Sequence, residues 1–168
     1  MIHIYHGDGK GKTTAAFGLA IRQLGHQGKV LVVQFLKDGD SGEMLFLQNQ
    51  EHVTLSYAKM PALFYFQLDK EQQAKVKQQQ HQLFVDACVT SRDATCIIFD
   101  EILDAISLGM IDEEELYAFL TDHPHQEIVL TGRNPSKQLQ EMADYITEMR
   151  LEKHPYQKHI PSRKGVEY

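Results

Sequence analysis

The stretch GDGKGKTT, residues 7–14, constrains this chain more than any other. Three glycines, two lysines and two threonines sit between a short β-branched run, MIHIY, and an apolar run with helical spacing, TTAAFGLAIRQLG. A strand, a glycine loop with lysine and threonine, then a helix is the layout of a P-loop. Glycines let backbone N–H groups converge on phosphate oxygens, and a helix N-terminus adds partial positive charge. In that layout Lys12 neutralises phosphate charge and the Thr13 hydroxyl ligates Mg²⁺. The usual spacing is GxxxxGK[ST], but His6 stands where its first glycine belongs. The loop is instead Gly7-x3-Gly11-Lys12-Thr13, one residue shorter, with an extra Lys10.

The rest of the chain alternates strands with helices. VLVVQFLK (30–37) is apolar nearly throughout, which predicts a strand covered on both faces. Further strands are predicted over 52–58, 95–101, 127–132 and 146–150. Helices are predicted from the loop to Gly25, over 68–92, from Asp112 with Glu115 as its capping-box partner, and from Asn134-Pro135 to Tyr145. The glutamine-rich first half of the long helix reads as a solvated helix face. The tail, 154–168, has no clear period. No linker or repeat interrupts the pattern. It predicts one α/β domain over 1–168, a three-layer P-loop NTPase-like (RecA-like) fold with a mainly parallel sheet. Such sheets bind ligands at the carboxyl ends of their strands. The glycine loop, Asp100-Glu101 and Thr131-Gly132-Arg133 all fall at strand ends. Asp100 and Glu101 close the apolar run CIIF in a Walker B arrangement, placed to hold or orient Mg²⁺.

Charge and cysteine usage narrow the classes. A net charge of -6 argues against a dedicated nucleic-acid binder. Cys88 and Cys96 form no CxxC pair and read as reduced core thiols. No apolar run approaches the ~20 residues that cross a bilayer, and no signal-peptide pattern opens the chain, so a soluble cytoplasmic protein is expected. None of the nine histidines pairs at HxxxH spacing on a helix, and surface or structural roles are expected for them. Glu113 to Glu115 read as a charged helix N-terminus.

The chain resembles the P-loop ATP:corrinoid adenosyltransferases, which act on cob(I)alamin or cob(I)yrinic acid a,c-diamide. The resemblance rests on GDGKGKTTAAFGLA, VVQFLK, SGE at 41–43, FDEILDAISLGMIDEEEL, VLTGR, MADYITEMR, KHP and the closing KGVEY. The stretch 45–95 matches poorly. The resemblance implies an enzyme that binds ATP with Mg²⁺ (or Mn²⁺) and a reduced corrinoid. Co(I) attacks the 5′ carbon of ATP and triphosphate leaves. It further implies that Gly7, Gly9, Lys10, Gly11, Lys12, Thr13 and Thr14 hold the nucleotide's triphosphate, with Asp8 a nucleotide-binding residue where it faces ribose hydroxyls. Thr13 and Glu101 would ligate the metal, with Asp100 in support, and Lys12, Thr13 and Glu101 would carry catalysis. Arg133 would contact the nucleotide or the corrin side chains. Phe64 and Phe66, in LFYFQ, fall where the family has an aromatic pair against the lower corrin face. Ordinary core positions are the alternative for those two. Lys153-His154 and Arg163-Lys164 are either corrin contacts or a solvated tail. The resemblance also implies a reductase that supplies Co(I), and often a homodimer. Longer members carry an N-terminal extension that helps cover the corrinoid site, and this sequence, which opens directly at strand one, is expected to lack it. Departures are Asp8 in place of the commoner asparagine, Asn134-Pro135 where glycine is more usual, and the lack of tryptophan. Two rival functions stay open at this point. One is a P-loop ATPase or kinase that releases ADP. The other is an ATP-binding protein of the same fold without catalysis.

Overall fold

Period-two burial in the strands sorts the chain into layers. Val30 and Val32 pack with Ala16, Phe17, Ala20, Met44 and Leu47 on one face of the sheet. Leu31 and Val33 pack on the other face with Phe84, Ala87, Leu116, Phe119 and Leu139. The computed structural model describes residues 1–158 and 160–167. Its elements run β1 (Ile2–His6), α1 (Lys12–Gly25), β2 (Val30–Gln34), α2 (Gly42–Leu47), β3 (Val53–Tyr57), α3 (Lys70–Thr90), β4 (Cys96–Asp100), α4 (Ile102–Ser107), α5 (Glu113–Asp122), β5 (Glu127–Gly132), α6 (Lys137–Met142) and β6 (Tyr145–Glu148). The six strands form one sheet in the order β3-β2-β4-β5-β1-β6, and every pairing is parallel. Helices α1 and α2 cover one face, and α3 to α6 cover the other. This is the α/β arrangement of a P-loop NTPase-like fold.

Local sequence accounts for most boundaries. Asp69 caps α3 by accepting from Gln72 N at 2.8 Å, while Gln72 Oε1 accepts from Asp69 N at 3.2 Å. The capping box at α5 forms as well, with Asp112 N donating to Glu115 Oε2 at 3.3 Å. Elsewhere tertiary bonds override the pattern. The expected strand 30–37 stops at Gln34, because Leu36 takes a left-handed turn (φ 57) and donates its N–H to the buried Gln80 Oε1 at 3.1 Å. The strand expected to reach Glu101 ends at Asp100, since Glu101 also turns left-handed (φ 64) to open α4. Helix α6 ends at Met142 rather than Tyr145. There Asp144 turns to β1, its N–H donating to Ile2 O at 2.9 Å and its carboxylate accepting from Ile2 N at 2.7 Å. The last strand accordingly starts one residue earlier than expected, at Tyr145.

Histidines flank the sheet in structural roles. His3 stacks on Tyr145 with ring centroids 4.7 Å apart, its Nε2 2.7 Å from Glu127 Oε2. His123 stacks on Phe119 at 3.9 Å and lies 3.0 Å from Ser91 Oγ. Burial pushes the Cys96 thiol up to about 12 and Cys88 up to about 11, so both stay protonated core thiols. Tyr168, the last residue of the KGVEY stretch, lies outside the described residues.

Two loop glycines are set by the chain that follows β6. A Cβ on Gly7 would meet Met149 O at 2.5 Å, and one on Gly9 would meet the same oxygen at 2.6 Å. Gly9 N donates to that oxygen at 2.6 Å. Gly9→Ala is therefore expected to push loop and strand apart and cost about 1–3 kcal/mol. Thermal unfolding checks this, with Gly18→Ala as the control, since nothing lies within 4 Å of a Cβ there.

Candidate active site

Strand β1 delivers the chain to the loop 7–11 beside the end of β5, where Gly7 N donates to Gly132 O at 3.2 Å. Met149 N donates to His6 O at 2.7 Å and anchors the other side. The first helical donor of α1 is Ala15, bonded to Gly11 O at 2.8 Å. The amides of Lys12, Thr13 and Thr14 therefore sit at the open end of the helix, where an anion is favoured. Lys12 curls back over the loop, its Nζ donating to Gly7 O at 2.6 Å and Gly9 O at 3.0 Å. Burial pulls the Lys12 pKa down and the Arg133 charge adds to that, against the carboxylates of Glu101, Asp104 and Asp8.

A second cluster lies where β2, β4 and β5 end. The register pairs Gln34 with Asp100, so both polar residues leave the apolar sheet together. The Asp100 carboxylate is fully buried. Its Oδ1 accepts from Thr13 Oγ1 at 2.9 Å and from Thr131 Oγ1 at 2.8 Å. Its Oδ2 accepts from Gln34 Nε2 at 3.0 Å and from Lys37 Nζ at 2.8 Å. The same Lys37 ammonium donates to Thr13 Oγ1 at 3.0 Å and lies 3.2 Å from Glu101 Oε1. Burial alone would lower the Lys37 pKa, but the Asp100 and Glu101 charges outweigh it and raise it. Burial pushes Glu101 above the ordinary carboxylate range, with Asp100 adding to the effect and Lys37 opposing it. The donors facing this cation are hard oxygens, the set Mg²⁺ or Mn²⁺ accepts when phosphate supplies further ligands. Among the described residues no group of three or more His, Cys, Asp or Glu side chains is arranged to hold a metal alone.

Both clusters open into one groove of about 940 Å³. Gly9 to Thr14, Lys37 and Glu101 line its polar part, and Ile21, Phe46 and Val166 its apolar part. The structure thus brings together Gly9, Lys10, Gly11, Lys12, Thr13, Thr14 and Glu101, with Asp100 beneath Thr13 and with Gly7 and Asp8 in the same loop. Arg133 does not line the groove. It bridges two acids, with Nε 3.2 Å from Asp8 Oδ1 and Nη1 3.2 Å from Asp104 Oδ1. The Asp8 carboxylate, in the glycine loop, thus shares this cation with Asp104. Phe64 and Phe66 stand apart from the groove, on the loop after β3. They are 71% and 77% exposed and stack with centroids 5.6 Å apart and planes 3° from parallel, which rules out core positions.

Sequence reasoning gave no role to Lys37, Gln34 or Asp104, and placed Thr131 only at a ligand-binding strand end. Lys37 and Gln34 lie in VVQFLK, where a glutamine and a lysine interrupt an apolar run at its carboxyl end. That is the signal that could have found them. Glu43 was likewise unassigned, and Thr14 Oγ1 donates to it at 3.3 Å.

Comparison with known proteins gives a consistent result. The family described as ATP:corrinoid adenosyltransferase BtuR/CobO/CobP matches residues 1–168. A protein of Pseudomonas aeruginosa named corrinoid adenosyltransferase is 33% identical over 167 residues, covering 98% of this chain and 82% of the relative. One of a Sinorhizobium species with the same name is 31% identical over 172 residues, covering 100% of this chain and 80% of the relative. The Escherichia coli K12 protein of that name is 28% identical over 170 residues, covering 100% and 85%. No helix among the described residues is long and apolar enough to cross a membrane.

Proposed function

The chain belongs to the ATP:corrinoid adenosyltransferase family, and from that premise we propose that it joins the 5′-deoxyadenosyl group of ATP to the Co(I) centre of a reduced corrinoid with loss of triphosphate. The observation that carries this reading is the convergence of a loop, a helix end, Lys12 and the Thr13–Asp100–Glu101 cluster on one groove at the carboxyl ends of the sheet.

In the proposed reaction the Co(I) electron pair attacks C5′. The C5′–O5′ bond breaks, and triphosphate leaves with that bonding pair. The cobalt becomes formally Co(III), bonded to carbon. The nucleophile belongs to the substrate, so the protein needs to supply positioning and charge rather than a general base. Lys12 and the first amides of α1 hold the departing polyphosphate, with Lys10 and Thr14 at its margin. Gly7, Gly9 and Gly11 let the backbone come close. Thr13 and Glu101 would ligate Mg²⁺ or Mn²⁺, and Asp100 orients Thr13 by accepting its hydroxyl proton at 2.9 Å. The metal supplies charge neutralisation to the triphosphate. Arg133 offsets the charge of Asp8 in the loop through a 3.2 Å contact. The exposed Phe64–Phe66 stack offers an apolar platform to the lower corrin face, where displacing the lower ligand eases reduction of Co(II). A single domain over 1–168, a cytoplasmic setting, a reductase partner and a homodimer belong to the same proposal.

The test is to mix the protein with chemically reduced corrinoid and Mg-ATP and to follow the Co(I) absorbance. Decay of that absorbance into a light-sensitive carbon–cobalt product is the expected result. ADP without that product would favour an ATPase or kinase, and the absence of turnover a binding protein. A second prediction concerns the aromatic stack. The double variant Phe64→Ala/Phe66→Ala is expected to raise the corrinoid KM about tenfold. Its ATP affinity by calorimetry should be unchanged, because neither ring touches the groove.

A further inference from the structure

Lys37 occupies a position that a surface lysine does not reach by chance. The turn that presents it is pinned on both sides. Leu36 N donates to the fully buried Gln80 Oε1 at 3.1 Å, and Asp38 Oδ1 accepts from Met60 N at 2.6 Å. Its ammonium sits among Thr13 Oγ1 at 3.0 Å, Asp100 Oδ2 at 2.8 Å and Glu101 Oε1 at 3.2 Å. Thr13 and Glu101 are the side chains read above as metal ligands.

We propose that Lys37 is a tethered counter-cation of the metal site, which excludes a divalent cation until the nucleotide's polyphosphate arrives. This rests on the reading of Thr13 and Glu101 as metal ligands. An ammonium sits about 3 Å from its acceptors, whereas Mg²⁺ needs oxygens at about 2.0–2.1 Å. The two cations cannot share these oxygens, so one must move. Lys37 is able to do so, because its side chain is 33% exposed and lines the groove, while Asp100 is fully buried. Charge sets the order of events. Lys37 offsets one of the two charges of Asp100 and Glu101, and Lys12, which feels the Glu101 charge, offsets the other and leaves the cluster close to neutral. A divalent cation added next to both lysines would leave its double charge uncompensated. A polyphosphate reverses this balance. It accepts the displaced ammonium and brings the metal with it. The metal therefore enters as the metal–nucleotide complex, and Lys37 ends on the phosphate.

The probe is Mn²⁺ itself, titrated into the full chain without nucleotide and followed by the electron paramagnetic resonance of free Mn²⁺. Lys37→Met is expected to tighten Mn²⁺ binding about tenfold or more. Lys37→Arg should stay near wild type, as should Lys70→Met, which removes a distant charge. Lys37→Gln keeps a donor for Asp100 and replaces the methionine variant if that one fails to fold by circular dichroism. An affinity within twofold of wild type for the uncharged variant overturns the proposal, as does an equal gain in Lys70→Met. The same titration with ATP present separates the two readings. If wild type takes up Mn-ATP and removing the Lys37 charge gains nothing in the nucleotide-free titration, this inference alone fails. If wild type takes up no Mn-ATP, the metal-ligand reading fails and carries this inference with it.

Discussion

Lys12→Ala is expected to lower kcat by about a hundred- to a thousandfold. Lys12 is the cation inside the loop, only 8% exposed, with its ammonium within 3.0 Å of both Gly7 O and Gly9 O. Negative charge grows on the triphosphate as the C5′–O5′ bond breaks. A cation fixed beside it therefore stabilises the transition state more than the bound substrate. The loss should appear mainly in kcat and less in KM for ATP. The fold should survive, because only two hydrogen bonds to carbonyls are lost, each worth about 1 kcal/mol net. Lys12→Arg should not restore activity, because a planar guanidinium does not fit where a compact ammonium bends back over the loop. Steady-state kinetics beside a melting curve separate the catalytic effect from a folding one. Activity retained in Lys12→Ala would remove the loop from the reaction.

The second large effect is on stability. Asp100→Ala should destabilise the fold by about 3–5 kcal/mol. The carboxylate is fully buried and receives four side-chain donors, from Thr13, Thr131, Gln34 and Lys37. Removing it strands all four at the junction of three strands and leaves the Lys37 charge with Glu101 alone. Asp100→Asn should cost less, because one carbonyl oxygen remains to accept, although its amide N–H₂ would face other donors. Urea unfolding with linear extrapolation measures both variants. A loss below about 1 kcal/mol for the alanine variant would mean that the cluster contributes little to the fold.

The alternation of buried strands and amphipathic helices, and the glycine loop between β1 and α1, were legible because each depends on local pattern. Asp100 and Glu101 were legible for the same reason, as acids closing an apolar run. Lys37 was not, because its importance comes from a turn fixed by Gln80, 43 positions further along and 44 apart by residue number from Leu36. The short helices α2 and α4, six residues each, carry too little periodicity to stand out. Arg133 was placed at the right strand end, but sequence could not reveal that two acids, Asp8 and Asp104, hold it. The reason for Gly7 and Gly9 was only half visible. Phosphate approach explains a glycine loop in general, whereas here the Met149 carbonyl presses on both residues.

The account turns on one chemical claim, that the polyphosphate held by the loop leaves whole. Phosphorus NMR of a completed reaction with reduced corrinoid and Mg-ATP reads this directly. The account predicts inorganic triphosphate, one for each carbon–cobalt bond formed. Pyrophosphate with orthophosphate in that ratio, or ADP or AMP with no carbon–cobalt bond formed, would contradict it.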